Sequence, residues 1–276
     1  MTQRPPHTVA KLIPQSAEGV IRFVQITDTH LFVNPQQKFA YLNPEQTFLS
    51  VLQCVQQLSD LDFLIHTGDL AQESHPETYQ RYLSHIEQLA YPNFRVPGNH
   101  DQAALFPFHG SPDAPSIVHI GAWSIILLNT PVAGKIYGHL TDEQLLGLDE
   151  LLSQFPDQHI LLACHHHPFE LRSHWLDQHI LKNTPALLDV LAKHSQVKAC
   201  IYGHVHQESD QTWHGIRFIS CPSTCLQFKP EHDEFTLDDR APGYRIFQLY
   251  PNGEFDTQVE RIDLDFDQVD LNFAGY

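Results

Sequence analysis

Short apolar runs of strand length alternate along most of this chain with stretches of helical periodicity. The run 21–27 is followed by Asn43 and Pro44, which are typical of a helix N-cap and a first helical position. The run 63–66 leads in the same way to a predicted helix over 76–89. Alternation of this kind predicts layered α/β structure. Further strands are predicted over 94–96, 116–120, 123–129, 159–164 and 197–202, with helices over 44–59, after Thr141, and from Thr184 to about His194.

The pattern changes after Gln211, where apolar and polar residues alternate with a period of two. The runs 244–250 and 254–262 are joined through Asn252 and Gly253, and Asn-Gly is the strongest short signal for a β-hairpin. We therefore predict antiparallel strands at the C-terminal end of a mixed α/β domain that spans residues 21–262. Residues 1–20 are expected to be a loose N-terminal leader, and the acidic stretch 263–276 is expected to be a solvated tail.

Charge and composition narrow the class of partner. The 276 residues include 33 Asp and Glu against 16 Lys and Arg, for a formal net charge of −17. This balance argues against nucleic acid and against acidic membranes, because both are bound mainly through Lys and Arg. No apolar run approaches the roughly 18 to 20 residues that span a bilayer. The five Cys are an odd number in apolar contexts, which favours reduced thiols and a cytoplasmic protein.

Histidine is the unusual part of the composition and points to metal chemistry. The 20 His outnumber the 16 Lys and Arg, and His is the commonest metal ligand in proteins. Five polar clusters each follow directly after a predicted strand, and ligands of open α/β sheets bind outside the carboxyl ends of the strands. We therefore expect the clusters to meet at one rim. They are Asp28-Thr29-His30, Gly68-Asp69, Gly98-Asn99-His100-Asp101, His165-His166-His167-Pro168 and Gly203-His204-Val205-His206.

The spacing within these clusters suits a pair of metal ions. His204 and His206 are one residue apart on a turning segment and can reach two neighbouring ions, while Asp69 can bridge them. Oxygen and nitrogen donors without thiolate suit Mn, Fe, Co, Ni or Zn. Two ions about 3.5 to 4 Å apart form a clamp that binds a phosphoryl oxygen and activates a water for in-line displacement. The residues therefore predict hydrolysis of a phosphate ester.

The ordered series D-x-H, GD, GNH(D/E), H and GHxH is typical of the calcineurin-like metallophosphoesterases, and this chain resembles that family between Asp28 and His206. Within the family, several flanking stretches resemble the bacterial class III 3',5'-cyclic AMP phosphodiesterases. The resemblance implies an α/β fold, a four-layer αββα sandwich of two mixed β-sheets, with the metals at the rim. The flanking stretches are 25–32, 67–72, 175–179, 222–225, 227–230 and 241–243.

The resemblance assigns seven residues to two divalent metal ions, with Fe(II) or Mn(II) favoured and Zn, Co or Ni also compatible. One ion would be held by Asp28, His30 and His206, the other by Asn99, His165 and His204, and Asp69 would bridge them. His165 is the first of three consecutive His, so His166 is the alternative ligand at this motif. With formal charges, two divalent ions, two carboxylates and a bridging hydroxide leave about +1, which suits a phosphodiester monoanion.

The GNH(D/E) motif supplies the residues that the resemblance assigns to catalysis. His100 would face the substrate and would stabilise the phosphate or protonate the departing 3' oxygen. Asp101 would orient the His100 ring, and Asn99 would touch both metal and phosphate. The residues expected to contact the substrate are His30, Asp69, Asn99, His100, His165 and His206.

The resemblance implies a small-molecule phosphodiesterase that hydrolyses 3',5'-cyclic AMP to 5'-AMP by in-line attack of a metal-bridging hydroxide, as a monomer or homodimer. A broader phosphodiesterase, acting on glycerophosphodiesters or 2',3'-cyclic nucleotides, would use the same ligands and stays open. A protein phosphatase is disfavoured, because no Arg follows closely behind the GD motif. A non-catalytic binding scaffold is the alternative of another class, although such scaffolds lose ligands and this chain keeps the whole set.

Two aromatic residues downstream of the three consecutive His, Phe169 and Trp175, have two interpretations. Either ring is placed to stack on a nucleobase at the edge of the site. Either would serve equally well as an ordinary packing residue. The sequence alone does not separate the two.

Overall fold

Two β-sheets form the centre of the computed structural model, which describes residues 7–264 and 269–273. The larger sheet has seven strands in the order β1-β5-β6-β7-β8-β10-β9, the smaller has five in the order β14-β13-β2-β3-β4, and β11 and β12 form a separate ribbon. The strands are β1 (His7–Leu12), β2 (Ile21–Ile26), β3 (Phe63–His66), β4 (Asn93–Arg95), β5 (Ser116–Ile120), β6 (Trp123–Leu127), β7 (His159–Ala163), β8 (Val197–Tyr202), β9 (Asp210–Trp213), β10 (Ile216–Ser220), β11 (Gln227–Phe228), β12 (Leu237–Asp238), β13 (Gly243–Leu249) and β14 (Phe255–Arg261). The helices are α1 (Pro44–Gln56), α2 (Pro76–Ile86), α3 (Asp142–Gln154), α4 (His174–Asp177) and α5 (Thr184–Leu191).

The smaller sheet contains the two strand–helix–strand units that the sequence predicts. β2, β3 and β4 are parallel neighbours, and α1 and α2 connect them in turn. α1 begins where predicted, because the Asn43 side chain accepts a hydrogen bond from the Gln46 amide and Pro44 occupies the first turn. The hairpin β13–β14 then adds to the other side of β2 in antiparallel orientation. The smaller sheet is therefore mixed.

The larger sheet is mixed as well. β6, β7, β8 and β10 run parallel to one another, while β5 and β9 lie antiparallel to their neighbours β6 and β10. Because β7 and β8 point the same way, the loops that follow them emerge at the same edge of the sheet. These are the loops that carry the two His clusters of the second half of the chain.

Apolar side chains form three layers that hold sheets and helices together. Between the sheets, Phe23 stacks on Phe63 and on Phe247, each with ring centroids 4.7 Å apart, and this layer includes Ile125 and Leu161 from the larger sheet. α1 and α2 cover the outer face of the smaller sheet, and α3 and α5 cover that of the larger. Burial of this apolar surface, at about 25 cal/mol per Å², favours the stacked arrangement. The four-layer αββα sandwich of two mixed sheets is confirmed.

The expected loose leader is wrong for residues 7–12. These residues form β1, which pairs in parallel with β5 through registers such as Ala10 with Val118. Val9 and Leu12 pack against the layer between the sheets, so this edge strand gains both backbone hydrogen bonds and apolar contact. The prolines and charges of the N-terminal stretch obscured a short strand pattern from Thr8 to Leu12.

The expected solvated tail over 263–276 is wrong for the part of it that the structure describes. Leu264, Val269 and Phe273 pack beside a cluster that includes Phe39, and the Asp270 amide donates to the Ala40 carbonyl at 3.2 Å. Apolar residues between the acids therefore dock this part of the segment on the domain. Residues 265–268 and 274–276 lie outside the described residues.

Two further expectations concern the whole described chain. Across residues 7–264 and 269–273, helices are too short or too polar to traverse a bilayer. All five Cys are free thiols, and four of them are buried, as the apolar contexts around them predict.

Candidate metal centre

The carboxyl ends of five strands bring the predicted clusters to one place. Asp28 follows β2, Asp69 follows β3 and Asn99 follows β4 of the smaller sheet. His165 follows β7 and His204 follows β8 of the larger sheet. The two sheets meet at this point, because the His204 amide donates to Asp28 Oδ2 at 2.9 Å. The expectation that the clusters share one rim is confirmed.

The backbone of the site is held in conformations that non-glycine residues seldom adopt. Left-handed φ angles of this kind cost on the order of 1–3 kcal/mol each and persist where surrounding contacts impose them. Among those contacts, the Asp28 amide donates to the Gly68 carbonyl at 2.9 Å and the His30 amide to the Asp69 carbonyl at 3.1 Å. The left-handed site residues are Asp28, His30, Asp69, His204 and His206, with φ of 54°, 49°, 54°, 71° and 47°.

Two glycines allow the loops of the site to approach each other. A Cβ atom on Gly68 would lie 2.3 Å from His165 Nδ1, and a Cβ on Gly98 would lie 2.1 Å from Asp69 Oδ1. Both distances are far below van der Waals contact, so any side chain at these positions would displace a candidate ligand. Glycine is thus required in the GD and GNH motifs, because a larger side chain at either position would not fit beside the candidate ligands.

The first group of candidate ligands is fully buried and lies at the ends of β2 and β8. His206 Nε2 lies 3.5 Å from Asp28 Oδ1, and His30 Nε2 lies 3.9 Å from the same oxygen. The Nε2 atoms of His30 and His206 are 3.0 Å apart. None of the three residues has measurable solvent exposure.

The second group lies at the ends of β4, β7 and β8. His165 Nε2 is 3.2 Å from Asp69 Oδ2 and 3.1 Å from Asn99 Oδ1, and its ring centroid is 4.9 Å from that of His204. The Nδ1 atom of His166 is hydrogen-bonded to Thr130 Oγ1 at 2.8 Å, and its ring centroid lies 4.8 Å from that of His204. Its Nε2 atom is buried and makes no hydrogen bond within the described part of the chain. Of the three consecutive His, His165 is the one in contact with Asp69, and His166 stays the alternative ligand at this motif.

Asp69 lies between the two groups. Its Oδ2 atom is 3.2 Å from His165 Nε2 on one side and 3.9 Å from His30 Nε2 on the other. Its Oδ1 atom accepts a hydrogen bond from the His100 amide at 2.8 Å, which fixes the carboxylate plane. The Asp69 carboxylate is thus positioned where it could coordinate two cations at once.

Three of the imidazoles use Nδ1 for a hydrogen bond and direct Nε2 toward the centre. The Nδ1 atom of His30 lies 2.6 Å from Gln72 Oε1. His165 Nδ1 lies 2.7 Å from the Thr67 carbonyl, and His206 Nδ1 lies 2.7 Å from the Leu226 carbonyl. Because these oxygens only accept, each Nδ1 must carry a proton, and in the neutral ring this leaves the Nε2 lone pair for a cation.

The electrostatics favour ionised Asp28 and Asp69 carboxylates and neutral His30 and His204 rings. Burial lowers the pKa of His30 to about 3 and holds the pKa of His204 well below its ordinary value, with help from the neighbouring His166. Burial opposes ionisation of Asp69, but the His165 ring overcomes this and lowers the carboxyl pKa. Against its own burial, His165 responds to Asp69 with a pKa of about 9. The centre therefore favours positive charge beside Asp69.

The donor set fits divalent cations. The Nε2 atoms of His30 and His206 lie only 3.0 Å apart, beside the Asp28 carboxylate, so that one cation could bind all three side chains. His204 Nε2 is buried and makes no hydrogen bond within the described part of the chain, an arrangement that is costly for a polar atom without a ligand. Aspartate oxygens and imidazole nitrogens without thiolate complete a set suited to Fe, Mn, Zn, Co or Ni.

His100 and Asn99 form the open side of the centre. Both are half-buried, unlike the enclosed ligands. The His100 ring meets the His30 ring edge to face at 5.0 Å and 84°, and its Nδ1 atom lies 3.4 Å from the Gln72 carbonyl. A substrate phosphate at the centre would therefore meet these two side chains first.

Asp101 is hydrogen-bonded to backbone amides and to a tyrosine hydroxyl, while the orientation of the His100 ring by Asp101 stays a prediction. Asp101 Oδ2 accepts hydrogen bonds from the Gly98 and Leu70 amides at 2.9 and 3.2 Å. Asp101 Oδ1 accepts from the Ala71 amide at 3.3 Å and from the Tyr79 hydroxyl at 2.9 Å. With four donors on its two oxygens, this buried carboxylate ties the loop after β3 to the loop after β4. Its role is to hold the GD and GNH motifs together.

Sequence reasoning missed the residues that support the ligands. Gln72 accepts from His30, and the Thr27 hydroxyl donates to Asp28 Oδ2 at 2.6 Å. Both flank the motifs closely, so proximity was the available signal. The left-handed turns of the site determine which ring or oxygen Gln72 and Thr27 contact, and the sequence does not reveal these turns.

A family model for calcineurin-like phosphoesterases matches residues 21–208, a range that contains all five clusters. This chain belongs to the calcineurin-like phosphoesterase family. The family uses a dimetal centre, and the groups in this phosphoesterase that could hold a metal ion include Asp28, His30 and His206, Asp28, Asp69 and His165, and His165, His166 and His204. The family assignment based on the ordered motifs is thereby confirmed.

Curated relatives extend the similarity over nearly the whole phosphoesterase. The 3',5'-cyclic adenosine monophosphate phosphodiesterase CpdA of Escherichia coli K12 is 38% identical over 269 residues, which cover 96% of this chain and 98% of that protein. A 3',5'-cyclic-nucleotide phosphodiesterase of Nostoc sp. is 33% identical over 246 residues, 88% of this chain and 92% of that protein. Among solved structures, a purple acid phosphatase from yellow lupin seeds matches with a TM-score of 0.65 at 14% identity, over 93% of this chain and 53% of that one, and so shares the fold.

Proposed function

We propose that this phosphoesterase hydrolyses 3',5'-cyclic AMP to 5'-AMP at a centre of two divalent metal ions. The position of Asp69 between two groups of buried ligands is the observation that carries the proposal. Similarity to curated cyclic AMP phosphodiesterases over nearly the full chain supports the substrate. Fe(II) or Mn(II) as the metal, a cytoplasmic location, and a monomer or homodimer remain predictions.

Seven residues would hold the ions. Asp28, His30 and His206 would hold one, and Asn99, His165 and His204 the other, with Asp69 bridging. When bound, such a pair of ions supplies charge stabilisation for the phosphoryl oxygens and lowers the pKa of a coordinated water. The low pKa of the carboxylates and the Nδ1–H tautomers of the ligand rings keep the ligands ready for this role.

His100 and Asn99 would act directly on the substrate. If the His100 Nδ1–H donates to the Gln72 carbonyl, the Nε2 atom is left to face the phosphate. As an imidazolium, with a second proton on Nε2, the ring would stabilise the phosphate charge or donate that proton to the departing 3' oxygen. Asn99 would direct its amide N–H to a phosphate oxygen while its Oδ1 atom, near His165, serves a metal. Orientation of the diester by these two groups contributes to the rate by positioning.

An assay with the metal-loaded protein tests the proposal. Purified protein loaded with Mn(II) or Fe(II) should release 5'-AMP from 3',5'-cyclic AMP. Chromatography measures the amount of 5'-AMP that forms. Asp69→Asn keeps the shape of the side chain and removes its charge, so it should lower kcat/KM by more than the roughly 10- to 100-fold that loss of an outer partner costs. Asp157→Asn, a change of the same kind at an exposed position, should leave the rate unaltered.

The competing functions give different results in the same experiment. If the loaded protein ignores 3',5'-cyclic AMP but cleaves 2',3'-cyclic AMP or a glycerophosphodiester, the two-metal chemistry stands and the substrate is wrong. A protein that retains less than one metal ion per chain after metal-replete purification, with no hydrolysis of any diester, would be a binding scaffold.

A further inference from the structure

An aromatic cluster connects the rings of two candidate ligands, His204 and His206. Phe228 stacks on His206 with ring centroids 4.1 Å apart and planes inclined by 13°. On the other side, the His179 ring lies 5.8 Å from that of His204. Trp175 lies between these contacts, 5.1 Å from Phe228 and 5.5 Å from His179. The cluster therefore borders the metal centre along one side.

Part of this cluster is open to solvent. Phe228 is buried, whereas Trp175, His179 and Phe235 are half-buried, and the Phe235 ring lies 5.4 Å from the indole of Trp175. We call these three half-buried residues the aromatic wall. A neutral, partly exposed aromatic surface beside a phosphate site has the chemistry that stacks on a nucleobase.

The backbone that carries Trp175 is fixed on both sides. The Trp175 amide donates to the Asp233 carbonyl at 3.1 Å, which ties the helix α4 to the loop that carries Phe235. The Asp177 carboxylate accepts from the Leu171 and Ser173 amides at 2.8 and 3.1 Å. Rings on such a rigid support lose little further freedom when a ligand stacks on them.

The structure also separates the two aromatic candidates of the sequence. Phe169 turns toward Phe218, at a centroid distance of 4.8 Å, and packs on the core at the outer face of the larger sheet. Trp175 instead packs beside Phe228, next to the centre. Of the two, Trp175 is the ring that lies in the cluster bordering the metal centre.

We propose that the aromatic wall is the nucleobase subsite of this phosphoesterase, with Trp175 as the main stacking surface. The inference rests on the proposed cyclic nucleotide phosphodiesterase function and names the residues that recognise the base. Base–aromatic stacking is sequence-tolerant, because every base has a π-face. The wall therefore favours nucleotides over diesters that lack a base, and discriminates weakly between adenine and guanine.

Steady-state kinetics of Trp175 variants on two substrates test this inference. The substrates are 3',5'-cyclic AMP and 1-deoxyribose 3',5'-cyclic phosphate, the same cyclic diester without its base. Trp175→Ala should lower kcat/KM for cyclic AMP by about 5- to 150-fold, mainly through KM, and should change the base-free substrate less than about twofold. Trp175→Phe keeps a stacking ring and should recover most of the loss.

Trp213→Ala is the matched control. Trp213 is also half-buried but lies in β9 beside the turn that precedes β10, at the end of the sheet opposite the loops of the centre. The Trp213→Ala variant should therefore have the same ratio of kcat/KM between the two substrates as the wild-type protein. Thermal unfolding of each variant shows whether the fold is retained.

The possible failures are distinguishable. Equal loss on both substrates in Trp175→Ala, or no loss on cyclic AMP, overturns the nucleobase subsite while the phosphodiesterase function stands. Wild-type protein that cleaves the base-free diester as well as it cleaves cyclic AMP also overturns the subsite. Wild-type protein that cleaves neither overturns the proposed function itself.

Discussion

The Nδ1 atom of His30 lies 2.6 Å from the side-chain oxygen of Gln72. The corresponding acceptors for His165 and His206 are backbone carbonyls, so Gln72 is the one of these three supports that a substitution can remove. Through its own carbonyl, 3.4 Å from His100 Nδ1, the same residue also adjoins the ring proposed to face the substrate.

Replacing Gln72 by Leu should weaken metal binding at the His30 site. Without the acceptor, the His30 ring loses its tautomer and its orientation, and outer partners of this kind contribute roughly 10- to 100-fold to metal affinity or activity. Titration of the metal-free protein with Mn(II), with AMP release as a second readout, measures the change. Gln72→Glu keeps an acceptor and should retain affinity, and Gln37→Leu, an exposed substitution, should have no effect. Unchanged Mn(II) affinity in Gln72→Leu would count against this role.

Replacing Gly98 by Ala should displace Asp69. The added Cβ would lie 2.1 Å from Asp69 Oδ1 and 2.4 Å from the Asp69 amide nitrogen, so the bridging carboxylate must move. Metal content and kcat should both fall sharply. Gly134→Ala is the control, since Gly134 has a left-handed φ of 70° but nothing within 4 Å of the added atom. That variant should lose about 1 kcal/mol of stability and keep its metals.

Replacing Asp101 by Asn should cost stability more than it changes the pH dependence of the reaction. An amide nitrogen cannot accept from the backbone amides that Asp101 now satisfies, and a buried donor left unpaired costs about 1–3 kcal/mol. Urea unfolding measures this loss, and Tyr79→Phe, which removes one donor, should cost less. A pH–rate profile displaced by Asp101→Asn with stability unchanged would show instead that Asp101 acts on His100.

His109 should make the protein less stable in acid. Burial, aided by the Arg95 guanidinium, lowers the pKa of His109 to about 3 from an ordinary 6.5. The unfolded chain therefore binds a proton at this residue before the folded chain does, and stability falls as the pH falls from about 6.5 toward about 3. His109→Phe keeps the ring contact with Phe94 and should show a shallower decline in urea unfolding between pH 7 and pH 5. Parallel declines in both proteins would contradict the prediction.

The sequence indicated the candidate ligands of the centre better than the residues that support them. Asp28, Asp69 and His204 stand at strand ends, where the parallel pairs β2–β3 of the smaller sheet and β7–β8 of the larger sheet bring residues of distant sequence together. The partner of a given side chain depends instead on local turn geometry. Asp101, next to His100 in sequence, reaches back to the amides of Leu70 and Gly98, and no spacing rule predicts that direction.

The sequence also failed to predict the edge strand β1 and the docking of the C-terminal segment, because both depend on the assembled fold. β1 has only the short apolar pattern Val9, Ala10 and Leu12, next to prolines and charges, and it becomes a strand because β5 offers an edge for pairing, which is a property of the assembled sheet. The C-terminal residues Val269 and Phe273 likewise dock on a surface built from segments far away in sequence. Interior strands such as β3 and β8 carry their own apolar signal and were placed correctly.

The centre draws on both sheets, with His30 from the loop after β2 and His206 from the loop after β8, 176 positions apart along the chain. A cation held between them would act as a cross-link that closes most of the polypeptide into a loop. Like other long-range closures, it would restrict the unfolded ensemble and link metal release to separation of the two sheets. Metal depletion should therefore accelerate amide hydrogen exchange in β2 and β8 as well as at the ligands. The centre that is proposed to carry out the reaction would then also stabilise the packing of the two sheets.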